Sequence, residues 1–298
     1  MHKRTKLAII ILTFISGSST LYCQTDLLNM LDSVSPKETV YTYGTFKSTR
    51  IINGHSIERM PQGQLDFRVS HRFGNVNQGY YQFFGLDQGS TFLSLEYGIT
   101  DWVMLGLNRA SLEKTVSGFG KFSILRQSSG VRNMPVSLSY FVSTSVNGLK
   151  WADPTRTNYF SSRLNYTHQL LIGRKFNEQI SLQIAPTLIH RNLVPTALDN
   201  NDLFALGMGG RYKLTRRISL NVEYYPVIRP TWNYTDTQFK NCFSAGFDIE
   251  TGGHVFQLLL SNSQGMIEKS FIGETTGNWF NGDMHLGFNI SRVFSLKN

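Results

Sequence analysis

Residues 243–262 read Phe-Ser-Ala-Gly-Phe-Asp-Ile-Glu-Thr-Gly-Gly-His-Val-Phe-Gln-Leu-Leu-Leu-Ser-Asn and predict a tight β-hairpin. The Gly252-Gly253 pair permits the positive φ angles that a two-residue hairpin turn requires. If Thr251 faces His254, the apolar face carries Ala245, Phe247, Ile249, Phe256, Leu258 and Leu260, and the mostly polar or small face carries Ser244, Gly246, Asp248, Gln257, Leu259 and Ser261. A one-residue slip would exchange the faces, so the pattern fixes the register. Such a hairpin suits a soluble sandwich or a membrane barrel, and the rest of the chain must decide.

The first 23 residues have the three regions of a secretory signal peptide. Basic residues within the first six precede an apolar run over residues 7–16, and small residues follow. We expect cleavage after Cys23, because Tyr22 occupies the position where a lipoprotein signal needs a small residue. Lipidation of Cys23 is the alternative. A mature chain that begins at Gln24 keeps one cysteine, Cys242, and so forms no intramolecular disulfide.

Composition narrows the class of protein. The 298 residues suffice for one large all-β domain or two small domains. From residue 24 onward no stretch approaches the ~20 apolar residues of a spanning helix. The formal net charge is +9, and loss of the three signal-peptide bases leaves +6. This balance suits an anionic lipid surface, whereas scattered bases do not predict nucleic acid as a partner. The aromatic fraction of 13% would supply the girdles of a membrane barrel.

Residues 24–63 are predicted to form an N-terminal extension. Apolar residues at helical spacing indicate a short helix over residues 26–34. Residues 40–60 are rich in β-prone residues and contain the hairpin dipeptide Asn53-Gly54. The polar groups that could pair with acids inside a barrel are Lys47, Arg50, His55 and Glu58. We predict that this stretch is a plug inside the barrel; a hairpin docked beneath the short turns is the alternative.

The chain from residue 64 to 298 alternates between apolar and polar residues in a way that predicts strands. The twelve predicted strands are 64–71, 91–97, 101–108, 118–126, 134–145, 160–172, 179–191, 203–212, 218–226, 242–251, 254–261 and 282–294. Short connections alternate with long ones, and both termini fall on the short-turn side. Outer-membrane barrels have an even strand count, short periplasmic turns and long outer loops. We therefore predict a closed antiparallel transmembrane β-barrel in the outer membrane of a Gram-negative bacterium, with membrane lipid and the barrel-assembly machinery as partners.

Several stretches carry a resemblance to a known family. They are Thr45-Phe-Lys-Ser-Thr-Arg-Ile-Ile-Asn-Gly-His-Ser, Ser70-His-Arg-Phe-Gly, Phe84-Gly-Leu-Asp-Gln, Leu95-Glu-Tyr-Gly-Ile-Thr-Asp, Leu149-Lys-Trp-Ala-Asp-Pro, His190-Arg-Asn-Leu-Val-Pro, Phe247-Asp-Ile-Glu-Thr-Gly-Gly-His-Val-Phe-Gln and Phe288-Asn-Ile-Ser-Arg-Val-Phe. With these, residues 40–296 resemble domain-of-unknown-function family 5777, exported β-barrel proteins of Gram-negative outer membranes. The resemblance implies the barrel and its location but no activity, and therefore no functional residues.

The predicted strands place charged side chains in the lumen of the barrel. The lumen-lining candidates are Arg68, Glu96, Arg163, Arg211, Glu223, Asp248 and Glu250. Neutralising pairs that fill the interior are one interpretation, and a selectivity lining for a small polar solute is the other. His168 falls on the nominally apolar face of its strand, which leaves the facing of that strand open.

The sequence favours a non-enzymatic barrel, either a narrow channel or a plugged structural barrel. The alternative is a membrane-embedded lipid- or peptide-hydrolysing enzyme, for which the best candidate residues are His71, His190 and His254. Gly-x-Ser-x-Gly and His-Glu-x-x-His motifs are absent from the sequence, and no grouping has metal-ligand spacing. We therefore predict no catalytic residues, no metal and no cofactor.

Overall fold

Twelve antiparallel strands form a closed ring in which every strand pairs with its neighbours in sequence. The computed structural model describes residues 38–194, 196, 199–228 and 238–296. The strands are β1 (Gln64–Asn75), β2 (Gly89–Gly98), β3 (Val103–Ala110), β4 (Val116–Leu125), β5 (Ser137–Val146), β6 (Leu164–Lys175), β7 (Ile180–Arg191), β8 (Asp202–Lys213), β9 (Ile218–Tyr225), β10 (Cys242–Thr251), β11 (His254–Ser261) and β12 (His285–Ser295). Pairing of β12 with β1 closes the ring. The predicted all-β barrel and its twelve strands are confirmed.

The hairpin of β10 and β11 has the predicted register throughout. Thr251 lies opposite His254, Phe247 opposite Leu258 and Ser244 opposite Ser261. Of the two glycines in the turn, Gly253 has a positive φ of 113°, whereas Gly252 does not. The turn therefore requires one glycine for its backbone conformation rather than two.

The two faces of this hairpin meet different surroundings. The apolar side chains of Phe247 and Leu258 are 46% and 54% exposed on the outside of the ring, while Asp248 and Ser244 are buried inside it. An exposed apolar belt and a polar interior are the arrangement of a barrel in a membrane, the reverse of a soluble protein. The apolar residues of the alternating pattern therefore face lipid rather than the hydrophobic core of a soluble protein.

Other elements are short. A two-residue strand, Val227–Ile228, lies outside the ring and pairs with Phe204 and Ala205 of β8. Pro226 ends β9, and the chain continues beside β8, the strand that precedes β9 in the ring. Thr39–Tyr41 and Ser128–Gly130 form a separate two-stranded sheet. The helical turns are Val76–Gln78, Tyr80–Gly85, Leu112–Lys114, Phe160–Arg163, Lys269–Gly273 and Trp279–Asn281. Within the described residues, no helix has the length and apolarity needed to cross a bilayer.

The chain divides into two compact units. The larger unit comprises residues 41–129 and 133–298 and contains the whole ring together with residues 41–63. The smaller unit comprises residues 1–40 and Gly130–Arg132, of which residues 38–40 and 130–132 are described. The predicted signal peptide and the helix predicted over residues 26–34 lie outside the described residues.

Candidate functional site

Residues 45–60, which we call the lumen segment, fold into a hairpin inside the ring. The Ile51 N–H donates to the Gly54 carbonyl at 2.8 Å, and the Ser56 N–H donates to the Thr49 carbonyl at 2.9 Å. Ile52 and Asn53 therefore lie at the tip, one position before the Asn53-Gly54 turn that the sequence predicts. The two tip residues and the adjacent Ile51 are almost fully buried.

Gly54 is needed for space rather than for an unusual backbone angle, because its φ is not positive. A Cβ atom at this position would lie 1.8 Å from the hydroxyl oxygen of Tyr225 on β9 and 2.8 Å from the ring carbon that bears it. Tyr225 is itself buried against Phe271, with ring centroids 5.1 Å apart. A side chain at position 54 would thus force the tip and the wall apart.

Gly54→Ala is expected to displace the tip and to expose the lumen segment to protease in the folded barrel, because neither the tip backbone nor the Tyr225 ring has room to yield. Limited proteolysis of the detergent-purified protein measures this. Gly252→Ala is the matched control, since a Cβ at Gly252 meets nothing within 4 Å. Adding Tyr225→Ala to Gly54→Ala should restore protection by removing the ring. Equal protection of Gly54→Ala and the wild type would contradict the prediction.

One carboxylate of the wall binds the whole tip. Glu223 on β9 accepts hydrogen bonds from the backbone N–H groups of Ile52 (3.2 Å), Asn53 (2.9 Å) and Gly54 (3.1 Å). A buried N–H without an acceptor is costly, and the turn leaves these donors without backbone partners. Glu223 therefore supplies what the hairpin turn cannot supply for itself.

Amide and amine side chains of the wall satisfy the carbonyl groups of the lumen segment. Gln257 donates to the Ile51 carbonyl at 2.7 Å, and Gln183 donates to the His55 carbonyl at 2.7 Å. The Lys121 ammonium donates to three carbonyls, those of Thr49, Ser56 and Glu58, at 2.8–3.0 Å. The polar side chains of the wall thus bind the backbone of the segment, and they give its carbonyl groups the hydrogen bonds that water would otherwise supply.

A buried charge cluster lies at the centre of the lumen. The Arg50 guanidinium lies 3.5 Å from carboxylate oxygens of both Glu96 and Glu268 and donates to the Asn53 carbonyl at 2.8 Å. Next to it, His55 packs between the rings of Phe119 and Phe141, with centroids 4.7 and 4.1 Å away. Burial, and then the charge of Arg50, lowers the pKa of His55 well below its ordinary value, so the ring is neutral at pH 7.

Contacts at the short-turn end hold the first residues of the segment. Arg211 donates to the carbonyls of Gly44 and Thr45 at 3.0 and 3.3 Å, and Lys47 forms an ion pair with Glu250. The Glu58 carboxylate accepts from the Thr45 N–H at 2.7 Å. The side chains of Lys47 and Glu250 are more exposed than the central cluster, at 23% and 41%, so their ion pair contributes less.

A long loop enters the ring from the opposite end. Within residues 262–284, Met266 and Ile267 pack against Phe92 and Ala110. Phe271 and Ile272 join a buried cluster with Ile189, Leu203, Ala205, Tyr225 and Cys242. Lys269 lies 2.9 Å from Glu113 and 3.2 Å from Glu274.

The loop and the lumen segment meet at Glu268. Its carboxylate lies 3.5 Å from the Arg50 guanidinium and 3.6 Å from Nε2 of His55. Burial raises the pKa of Glu268 against the opposing charge of Arg50.

Most of the lumen-lining candidates lie together inside the ring. The buried ones are Arg68, Glu96, Arg211, Glu223 and Asp248, and Glu250 lies half-buried at the short-turn end. All four plug candidates, Lys47, Arg50, His55 and Glu58, contact wall side chains or the segment itself.

Arg163 is placed elsewhere, and its assignment to the lumen is wrong. It ends the helical turn Phe160–Arg163, before β6 begins, so the strand alternation does not apply to it. Its guanidinium lies 3.9 Å from the centre of the Trp151 ring and donates to the Asn147 carbonyl at 2.7 Å. Arg163 therefore anchors a long loop.

Among the described residues, the charged residues of the lumen that sequence reasoning missed include Asp66, Arg72, Lys121 and Glu268. A signal existed for two of them, because Asp66 and Arg72 share the alternation of Arg68 along β1. Lys121 was hidden because its inward-facing neighbour on β4 is Phe119. Glu268 was hidden in a loop that the sequence assigns to the outside, although the apolar pairs Met266-Ile267 and Phe271-Ile272 are unusual for a solvated loop.

Two histidines of the enzyme hypothesis, His71 and His190, lie on the outside of the ring. His71 packs edge-to-face against Phe73, stacks on Phe288 and lies 3.4 Å from the Thr91 hydroxyl. His190 pairs with Asp202 through Nδ1 at 2.6 Å. Among the described residues, neither histidine is hydrogen-bonded to a serine hydroxyl. The same part of the chain contains no group of three or more residues that could hold a metal ion.

The sequence model of the family described as membrane bound beta barrel domain (DUF5777) matches residues 46–294. The chain belongs to this family. The resemblance found in the sequence is thus confirmed, and the matched range includes most of the lumen segment of this DUF5777 barrel as well as its strands.

Solved structures with a similar fold include bacterial outer-membrane proteins. The NanC porin has 10% identity and a TM-score of 0.50, over 78% of this chain and 100% of the porin. An outer membrane channel from Pseudomonas putida F1 has 12% identity and a TM-score of 0.49, over 80% of this chain and 98% of the channel. The KdgM porin has 8% identity and a TM-score of 0.46, over 78% and 99%. No curated protein sequence matches the DUF5777 chain.

Proposed function

We propose that this chain is a non-enzymatic outer-membrane barrel that works as a narrow channel for a small polar solute and is closed at rest by its own lumen segment. The observation that carries the proposal is the pairing of wall side chains with segment backbone. Four wall side chains form hydrogen bonds with backbone groups of the segment, and such groups are the same in every amino acid. They are Glu223, Gln257, Gln183 and Lys121. If the segment withdraws, these side chains line a path with hydrogen-bonding groups, as a solute channel requires.

The outer-membrane location rests on the predicted signal peptide and on the membrane barrel of the family. Export with removal of residues 1–23 and insertion by the barrel-assembly machinery belong to the same proposal. The enzyme alternative has less support, because His71 and His190 face outward and the serine nucleophile that it needs is not bonded to either.

A reversible lock between the lumen segment and the wall tests the proposal. A Cβ atom at Gly173 on β6 would lie 3.1 Å from the Cβ of Ile57, a few tenths of an ångström short of the separation in a disulfide. Ile57→Cys with Gly173→Cys should therefore form a bridge after slight adjustment. Cys242 is free and buried, so it should not compete.

The lock is read in planar bilayers. We expect silence from the oxidised protein and brief discrete openings from the same protein after reduction, since only the reduced form lets the segment move. The single variant Ile57→Cys should be indifferent to reduction. Equal conductance in both states would show that the segment does not close the lumen. Silence in both states at all voltages would reject the channel and leave a structural barrel.

A further inference from the structure

Tyr140 and His168 form a polar pair on the outside of the barrel. The Tyr140 hydroxyl oxygen lies 2.6 Å from Nδ1 of His168, and the two rings stack with centroids 6.1 Å apart. His168 is the fifth residue of β6, and the adjacent Gln169 is buried on the inside. Leu170 and Phe204, beside the pair, are 43% and 52% exposed in the apolar belt. Polar groups in a lipid-facing apolar belt are expensive and mark functional sites by default.

The pair cannot satisfy itself. If the tyrosine hydroxyl donates to Nδ1, then Nε2 of His168 carries a hydrogen that needs an acceptor. If Nδ1 donates instead, the hydroxyl hydrogen of Tyr140 needs one. Within the described residues, neither side chain has another hydrogen-bond partner. In either arrangement one polar hydrogen faces outward among the apolar side chains of the belt, which offer it no acceptor.

The unpaired hydrogen opens onto an apolar groove of about 350 Å³. The side chains that line it are Tyr140, His168, Leu170, Pro186, Leu188 and Phe204. Pro186 lies in the wall of the groove and has no backbone N–H, so it cannot donate a hydrogen bond to β6 at this point. The pairing of β6 with β7 accordingly passes from Gln169 opposite Thr187 to Ile172 opposite Ile184 without a pair between them.

We propose that this groove is a binding site for one acyl chain of a membrane lipid, with the ester carbonyl of that chain accepting the unpaired hydrogen of the Tyr140–His168 pair. The groove is continuous with the lipid-facing belt, so a lipid reaches it without leaving the membrane. The apolar walls match the chain, and the ester oxygen supplies the acceptor that the protein lacks. The site is independent of whether the lumen conducts.

Native mass spectrometry of the detergent-purified barrel tests the site with two probes. One is a diacyl phosphatidylethanolamine, and the other is its dialkyl ether analogue, which has the same headgroup and chain length but no ester carbonyl. One hydrogen bond that is otherwise unmade should favour the diacyl lipid by about threefold to tenfold. The double variant Tyr140→Phe/His168→Phe should lose this preference.

Single variants make the test sharper. Tyr140→Phe and His168→Phe each leave one donor in the groove, so both should keep part of the preference. His71→Phe is the control, because His71 also faces outward but lies away from the groove. Equal binding of the two lipids by the wild type, or a preference that survives in the double variant, would overturn the proposal. A dimer that displaces the lipid would assign the groove to a second copy instead.

Discussion

Deletion of residues 25–60 is expected to convert a barrel that opens only briefly into one with discrete, lasting conductance. The ring closes without the lumen segment, since β12 pairs with β1 over Ser295–Gln64 to His285–Asn75. Removing the segment leaves Glu223, Gln257 and Lys121 without their backbone partners, and water takes those places. The Glu268 carboxylate also loses Arg50 and His55, so the inward loop loosens together with the segment. Single-channel recording in planar bilayers measures the change.

The control for this deletion removes residues 154–157, an exposed stretch of a long loop. That variant should open no more often and no longer than the wild type. Heat-modifiable migration on a gel must show that both barrels are folded. A folded but silent barrel without residues 25–60 would mean that the loop over residues 262–284 closes the lumen unaided.

The strands were predictable because the bilayer imposes a strict alternation on them. Phe247 and Ile249 must be apolar to face lipid, and Asp248 between them must not face it, so the period of two survives in the sequence. The Gly252-Gly253 turn then fixed the register of a whole hairpin. Every lipid-facing position of a strand must be apolar, so the sequence shows a regular pattern from which the strands can be predicted.

The residues of the lumen were less predictable, because an inward-facing position is polar or apolar according to the group that it contacts. Met104, Phe119, Phe141 and Leu171 face inward, where a polar residue is expected, because they pack against Phe46, Ile51 and Ile57 of the lumen segment. The rule that inward residues are polar therefore fails wherever the segment touches the wall. Gly209 shows the same dependence, since a Cβ there would lie 2.3 Å from the Ile51 side chain. Such positions make sense only in three dimensions.

Two further features have local explanations that the alternation does not contain. His168 breaks the apolar face of β6, and its strand keeps the expected facing because Tyr140 on the neighbouring strand β5 binds it. Gly54 resembles a turn residue in the sequence, yet it serves close contact with Tyr225, which is far away along the chain. Both depend on a partner that the register of distant strands brings near.

Glu223→Ala is expected to release the tip of the lumen segment while the barrel stays intact. The substitution leaves three buried N–H donors without an acceptor, and each such donor costs about 1–3 kcal/mol unless water enters. A net loss of roughly 3 kcal/mol would raise the open fraction of the segment by about 100-fold. Brief openings in planar bilayers should become frequent, and limited proteolysis should cut near Asn53.

The comparison with Glu250→Ala decides whether the tip is the element that holds the segment. Glu250 has the same chemistry and also faces the segment, but it is half-exposed, and Lys47 is its one ion-pair partner among the described residues. An exposed ion pair of this kind contributes little, so this variant should open no more often than the wild type. Glu223→Gln should fall between the two, because its amide oxygen still accepts while its amide hydrogens oppose the N–H groups. If Glu250→Ala opened the barrel as readily as Glu223→Ala, the segment would be held at the short-turn end rather than at its tip.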